Sequence, residues 1–561
     1  VKKQVVESTP FLQGVVFLAG VSTLAFETVL PRLLAPFFGT AQPIWAIVIG
    51  TTLIFLATGY WLGGQIADRW PSPRFIYLLL TGAGLLAGFI PLLAQPILHF
   101  AQQALLDFAA GNLLAALGGI LLLFALPITL VAAVSPFAVR LQMHREAGGI
   151  AAAGRAAGTI SAISTLGSIV GAFLPTFYLI PTFGTRNTIY LLASLLLLLG
   201  ISGLRDWRSK LLLLLIGIIL PIYALTCKSG FFCPTKELKS AACQDCLVLA
   251  ETESAYNYIQ VVSQKVAPDE TYIYLILNEG FALHSISSLK YRQTHDPKDT
   301  LTGGGPWDYF AVAPYFYPQR DPQTVKSLAL LGAAAGTIPK QFLALYGSQM
   351  KIDAVEIDAK IVELGKTYFD LAADDARYPN YKVYAEDARA WLQKTSTKYD
   401  LIGLDAYQQP YIPFHLATVE FFQAVKAHLN AAGVVAVNAA RPPSGDERLV
   451  TALATTMRAV FPQVFIIETR QREIASNVIL VGVKQPVGDG IANFQANTAQ
   501  MQNPTLRLIM NWAINEGSFP LREFLPSQSQ VAPFTDDHAP VESLIDLLLL
   551  HEAQSLNTPK K

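Results

Sequence analysis

The sequence is short of charge: Lys, Arg, Asp and Glu supply 15% of its 561 residues, where soluble domains carry roughly 25%. Hydrophobic residues supply 52% and mean hydropathy is +0.38, which argues against a fully soluble protein. There is no excess charge of either sign. The 41 Lys+Arg match 41 Asp+Glu, which excludes a strongly basic nucleic-acid binder. Cysteine is scarce too: four residues are too few for a disulfide scaffold, and all fall in one stretch, at Cys227, Cys233, Cys243 and Cys246. No small-residue cleavage site follows the first apolar run, so the run reads as a retained helix rather than a signal peptide.

The neutral total hides an asymmetry. Up to Thr226 there are 12 Lys+Arg against 6 Asp+Glu, a net of +6, and the remainder carries 29 against 35, a net of −6. Apolar runs near the ~20 residues needed to cross a bilayer recur through the first part. They lie at about 10–31, 42–66, 75–98, 113–138, 158–182, 187–204 and 211–226. We therefore expect a membrane domain of about seven helices over 1–226, facing the lipid bilayer, followed by a globular half. Ten basic residues fall in alternate short loops (Lys2 and Lys3; Arg69 and Arg74; Arg140, Arg145 and Arg155; Arg205, Arg208 and Lys210). The other loops hold two, Arg32 and Arg186, so the N-terminus is expected in the cytoplasm. If the run at 211–226 spans, everything after it lies outside the cytoplasm. Glu27 and Arg32 flank Pro31 and read as a helix-end ion pair or a functional charge. Gly59 and Gly63 read as a helix-packing pair. Gly64…Asp68-Arg69 resembles the loop signature of major-facilitator transporters, but seven runs without a second copy do not make a complete transporter of that class.

Beyond 226 the pattern divides into a Cys-containing linker and small β domain (227–320), a strand–helix alternation (321–490) and a C-terminal helical extension (491–561). Tyr256–Val262 and Thr271–Leu277 are rich in β-branched and aromatic residues and read as strands. From Ser327 onward, apolar strands alternate with helical stretches, which predicts an open parallel sheet with helices on both faces. Ligands bind such sheets at the carboxyl ends of the strands. There the first strand runs into Gly332-Ala-Ala-Ala-Gly336 and the second ends in Glu356-Ile-Asp358. The third leads to Glu386-Asp387 and the fourth ends in Asp405. A small-residue turn admits a ligand close to the backbone, and an acidic residue at this spacing suits ribose hydroxyls. Four such features along one edge describe a nucleoside-sized cleft.

Glu251–Val262, Asn278–Ser285, Gly303–Pro314 and Leu328 to about Asn438 resemble spermidine synthase, an aminopropyltransferase. With Phe26-Glu-Thr…Arg32, Trp45, Gly59-Tyr…Gly63-Gly64 and the tail Thr535-Asp-Asp-His-Ala-Pro-Val-Glu542, the whole chain resembles the membrane-fused spermidine synthase-like proteins. The resemblance implies a multi-pass α-helical membrane domain plus an α/β Rossmann-like domain of the class I methyltransferase/spermidine synthase type, with a small N-terminal β domain. It implies that Gly332, Gly336, Glu356 and Asp387 hold decarboxylated S-adenosylmethionine as co-substrate, with no tightly bound cofactor and no metal. Glu356 would take the ribose, Asp387 the adenine amino group, and Asp405 would be the general base toward a polyamine acceptor.

The chain departs from that pattern. Ala335 stands where the family has the Asp that receives the aminopropyl ammonium, and Ala333 and Ala334 replace glycines. Gln408 replaces the second Asp of the catalytic loop, while Trp307 and Asp308 align with the acceptor-side Tyr and its polar neighbour, and Leu283 with a Gln. The alternatives are therefore a catalytically silent homologue serving as a binding or scaffold subunit of a membrane complex or homo-oligomer, or a polyamine transport component. Cys227-x5-Cys233-x9-Cys243-x2-Cys246 lacks the two close pairs of a structural zinc site. Two disulfides in an extracytoplasmic segment are expected, with zinc or free thiols as the alternatives.

Overall fold

The computed structural model describes residues 9–545 except 39–41, 105–110, 146–149, 204–210, 212–245 (Leu214, Gly217, Ile218 and Ile222 apart), 269, 279–282, 373–375, 408–411, 442–444, 471–475, 518, 526–530 and 542–543. The chain forms two compact units, Val1–Lys239 with Thr252–Tyr258, and Ser240–Glu251 with Ile259–Lys561.

The first unit is helical: α1 (Thr9–Phe38), α2 (Gln42–Arg69), α3 (Pro73–Ala104), α4 (Gly111–Ala132), α5 (Val134–Arg145), α6 (Ile150–Leu174) and α7 (Ile180–Ser202). Among the described residues, five stretches are long and apolar enough to cross a membrane: Pro10–Leu34, Ile44–Arg69, Pro73–Leu98, Leu114–Met143 and Ala153–Ser202. The last is 50 residues long and joins the runs expected separately at 158–182 and 187–204. A π-helical turn, Pro175–Leu179, links α6 to α7, and Gly184 at φ +80° breaks the helical path where a loop was expected. The run at 211–226 lies mostly outside the described residues.

Small residues let these helices touch backbone to backbone. A Cβ on Gly167 would lie 2.1 Å from the Phe17 carbonyl oxygen, and one on Gly171 the same distance from that of Val21, so α6 lies directly on α1. Gly59 and Gly63 abut Ala132 and Ala133, the packing role their spacing predicts.

The second unit holds two sheets. The smaller has the order β1 (Leu247–Glu253), β2 (Tyr258–Ala267), β3 (Glu270–Leu277), β4 (Leu283–Ser288), with β2, β3 and β4 paired antiparallel. Two short helices follow, α8 (Tyr291–Thr294) and α9 (Pro306–Phe310). Then strands and helices alternate: β5 (Ser327–Leu331), α10 (Thr337–Tyr346), β6 (Lys351–Val355), α11 (Ala359–Tyr368), β7 (Tyr381–Tyr384), α12 (Ala388–Lys394), β8 (Tyr399–Leu404), α13 (Val419–Ala427), β9 (Leu429–Arg441) and α14 (Arg448–Arg458). The chain continues through β10 (Gln463–Glu468), β11 (Ser476–Val483), α15 (Gly490–Gln500), α16 (Pro504–Asn515) and β12 (Arg522–Glu523).

The larger sheet has the order β12-β10-β11-β9-β8-β5-β6-β7. Strands β5 to β9 pair in parallel, but β11 inserts between β9 and β10 antiparallel to both, so the all-parallel expectation is corrected to a mixed sheet. Residues 469–475, the whole link from β10 to β11, are too few for a crossover, so β11 must return antiparallel. This is the α/β Rossmann-like arrangement of the methyltransferase type. All five residues of β5 are buried, as expected of a central strand covered on both faces. Phe494, Leu506 and Ile509 of α15 and α16 share one core with Phe310 and Leu330.

Candidate nucleoside and amine site

The site is built where β5 meets its neighbours. Leu331 of β5 pairs with Val355 of β6 on one side and Leu404 of β8 on the other. Glu356 and Asp405, the next residues of those two strands, therefore flank the turn that follows β5. Gly332 opens the turn at φ +86°, and a Cβ there would lie 2.5 Å from the Ala406 Cα and backbone nitrogen. Only glycine fits that approach. Gly336 ends the turn at φ +97° and caps α10. Between them Ala334 adopts φ +45°, a left-handed conformation held by two turn contacts. The Ala334 amide donates to Glu356 Oε2 at 2.9 Å, and the Ala335 amide donates to Ser285 Oγ of β4 at 2.9 Å. Thr337 binds β4 as well, its Oγ1 accepting from the Ile286 amide and donating to the Ile286 carbonyl.

Glu356 is 8% exposed and accepts amides from Ala334 and, at 3.1 Å, from Asp358. Burial pushes its carboxyl up to about 7, against the pull of those amides. Asp358 turns away to cap α11, accepting from the Lys360 amide.

Asp405 is gripped at both oxygens. Trp307 Nε1 donates to Oδ2 at 2.8 Å and Asn438 Nδ2 to Oδ1 at 2.7 Å. Burial pushes this carboxyl up to about 7, while the two N–H donors act the other way. Behind it, Asn438 Oδ1 accepts from Asn477 Nδ2 at 2.8 Å, which sets the Asn438 amide with its nitrogen toward Asp405. Tyr407 ties the loop after Asp405 to β9, its hydroxyl donating to the Asn438 carbonyl and accepting from the Ala440 amide.

The structure thus brings Gly332, Gly336, Glu356, Asp405 and Trp307 together at one sheet edge. Asp387 follows β7 further along that edge. Its carboxylate caps α12 by accepting from the Ala390 amide at 2.9 Å, and its other oxygen lies 3.3 Å from His415 Nε2. Asp308 is placed differently from the amine-facing role its alignment suggests. It is fully buried and accepts from the Thr302 amide and hydroxyl, the Gly304 amide and Gln341 Nε2. That is a carboxylate organising its own loop. Burial raises its pKa. Gln408 lies outside the described residues, as do Cys227, Cys233 and Cys243, and Cys246 is half-buried just before β1.

Sequence reasoning missed Asn438, Asn477, Ser285 and His415. Asn438 carried a readable signal, as a polar side chain at the carboxyl end of an apolar strand. Ser285 and Asn477 carried none, because their partners are distant in sequence.

Residues 325–489 match the spermine/spermidine synthase domain family. The chain is 32% identical over 323 residues to a probable polyamine aminopropyl transferase of Bifidobacterium longum (strain NCC 2705), covering 54% of this chain and 64% of that protein. It is 30% identical over 156 residues to a polyamine aminopropyltransferase of Vibrio vulnificus (strain CMCP6), covering 27% of this chain and 49% of that one. The chain thus spans less than two thirds of the length of either relative. Among solved structures, a probable spermidine synthase from Corynebacterium glutamicum ATCC 13032 aligns at 20% identity with a TM-score of 0.38, over 51% of this chain and 96% of that one. The family match falls within the unit that holds the Glu356–Gly332–Asp405 edge, and with the aminopropyltransferase relatives it marks residues 325–489 as spermidine synthase-like.

Proposed function

We propose that the α/β unit transfers an aminopropyl group from decarboxylated S-adenosylmethionine to a polyamine, and that the helical unit anchors it in a membrane. The amine nitrogen attacks the methylene carbon beside the sulfonium. A C–N bond forms as the C–S bond breaks, the sulfur keeps the electron pair, and methylthioadenosine leaves. The amine's proton passes to Asp405. Glu356 takes the ribose hydroxyls with the lone pairs its amide partners leave free, and Asp387 takes the adenine amino group.

One observation carries the reading: Asp405 stands at a strand end with a pKa of about 7, held at both oxygens by Trp307 and Asn438. A fixed carboxylate that titrates near neutrality is a better proton acceptor than an ordinary one, and each oxygen retains a lone pair for the amine. The names of the aminopropyltransferase relatives support the same reaction.

A second reading, a silent homologue acting as a scaffold or binding subunit, rests on Ala335. It is 3% exposed, its amide is taken by Ser285, and it brings no carboxylate for the aminopropyl ammonium. Titrating the purified chain with decarboxylated S-adenosylmethionine and with methylthioadenosine, then assaying methylthioadenosine release with a diamine, separates the two. Turnover is expected. Binding without turnover establishes the silent reading, and no binding of either at millimolar concentration removes both nucleoside roles.

The ten-to-two loop charge bias supports a cytoplasmic N-terminus and, with the run at 211–226 as a further span, an extracytoplasmic α/β unit. On that side of a membrane the four cysteines would pair as two disulfides. Protease added to intact cells is expected to remove the α/β unit, and full protection would refute the orientation.

A further inference from the structure

The tail sequence Thr535-Asp-Asp-His-Ala-Pro-Val has no place in the chemistry above, yet it is built into the α/β unit. Phe534 is 3% exposed, its amide donates to Thr456 Oγ1 on α14 at 2.9 Å, and its carbonyl accepts from the Val419 amide at 2.9 Å. Thr535 and His538 close a tight turn by exchanging backbone bonds, and Val541 is fully buried. These contacts hold Asp536 at the starts of two helices. Its carboxylate accepts both arms of the Arg389 guanidinium, at 2.7 and 2.6 Å, and the Thr418 hydroxyl at 2.7 Å, and its amide donates to Glu420 Oε2 at 3.0 Å.

Arg389 links this turn to the candidate site. It stands two residues after Asp387, on α12. The same Nη1 that binds Asp536 also donates to the His415 carbonyl at 3.0 Å. His415 sits in a one-turn 3₁₀ segment, Phe414–Leu416, and its Nε2 lies 3.3 Å from Asp387 Oδ2. Asp536, Arg389, the His415 backbone, the His415 ring and Asp387 thus form one continuous chain of contacts. A planar guanidinium can hold a carboxylate with two arms and still aim an N–H at a carbonyl, which a lysine ammonium cannot reproduce. Thr418, fully buried, is both the cap of α13 and a donor to Asp536, so tail and loop share one anchor.

We propose that residues 534–541 are a positioning strap: through Asp536 and Arg389 they hold the Phe414–Leu416 turn so that His415 orients the Asp387 carboxylate for a nucleoside. Asp536 and Arg389 are positioning residues and touch no ligand. The coupling to ligand rests on Asp387 being the adenine-side group of the proposed function, whereas the strap's hold on the turn does not.

The experiment uses the full chain, wild type, Asp536→Asn and Arg389→Lys. Hydrogen–deuterium exchange reads the Leu416 and Ala417 amides, which bond to Pro413 and Phe414. Calorimetry reads methylthioadenosine affinity. Both variants are expected to exchange at least about tenfold faster at those amides while β5 amides are unchanged, and to bind the nucleoside about tenfold more weakly. Where turnover is measured, KM for the donor rises and kcat holds, the mark of lost binding rather than lost chemistry. Unchanged exchange at Leu416 and Ala417 overturns the strap. Faster exchange with unchanged affinity overturns its coupling to the nucleoside. A wild-type chain that binds no nucleoside at millimolar concentration overturns the donor-site reading and the coupling with it, while exchange still decides the strap. Uniform acceleration that includes β5 marks general destabilisation and also counts against the strap.

Discussion

The two units differ in how the polar side chains at their centres are satisfied. In the helical unit many hydroxyls turn back on their own helix: Ser22 bonds to the Leu18 carbonyl, Thr23 to that of Ala19 and Thr51 to that of Ile47, while Thr129 and Ser168 reach the Phe55 and Gly20 carbonyls of neighbouring helices. The first three are satisfied one turn away, and helices meet through glycine and alanine. In the α/β unit, polar groups reach across the fold. Asp405 bonds to Trp307, 98 positions away, and Asn438 to Asn477, 39 positions away. Local satisfaction suits helices long and apolar enough to cross a bilayer, where exposed polarity is costly. Long-range satisfaction leaves groups fixed at an edge with capacity to spare, which is what a reaction site requires. The difference teaches where the candidate site lies in this chain: where polar groups depend on distant partners.

The comparison can be broken at its strongest point first. Asp405→Asn keeps shape and removes basicity, so turnover should fall by ~10²–10⁴ with donor affinity little changed. An equal loss from a polar substitution in the helical unit, such as Thr51→Ala, would contradict the contrast. Next come the close approaches. Gly332→Ala meets both a positive φ and the Ala406 backbone, and should destabilise the α/β unit by about 2–5 kcal/mol. Gly167→Ala should lower the stability of the helical unit by about 1–3 kcal/mol, since its Cβ meets the Phe17 carbonyl. Thermal unfolding in detergent, followed by a probe in each unit, should show each substitution moving one transition only. Coincident shifts would show the units unfolding together.

Smaller effects sharpen the site itself. Trp307→Phe keeps an aromatic ring, though a smaller one, and removes the N–H that Asp405 accepts, and should cost about tenfold in kcat/KM. The pH profile supplies the sign. Under the proposed function Asp405 must be unprotonated to act, and its pKa is raised to about 7, so activity should fall below that pH and level off above it. Losing the Trp307 donor favours the protonated form and should move the inflection upward. An inflection that stays in place would show that the indole does not tune the carboxylate.

Much of the fold was legible. β5 begins at Ser327, where the apolar pattern places it, and β8 ends just before Asp405, because short buried strands bounded by polar turns have few alternatives. The reversed β11 was not legible, since a strand of Val, Ile and Leu reads the same in either direction. The separation of α6 from α7 was read as a loop and is a kink at Gly184, because hydropathy reports polarity and not backbone path.

Local chemistry by itself determined that this chain has an apolar helical half and an α/β half, and that Gly332, Glu356, Asp387 and Asp405 fall at the ends of successive strands. Those follow from periodicity and residue type, which act over a few residues. Only the tertiary structure decided that Trp307 and Asn438 grip Asp405, that Asp308 is buried against Gln341, and that Asp536 reaches Arg389 from 147 positions away. A hydrogen bond acts over about 3 Å and carries no memory of sequence separation, so its partners are set by packing alone.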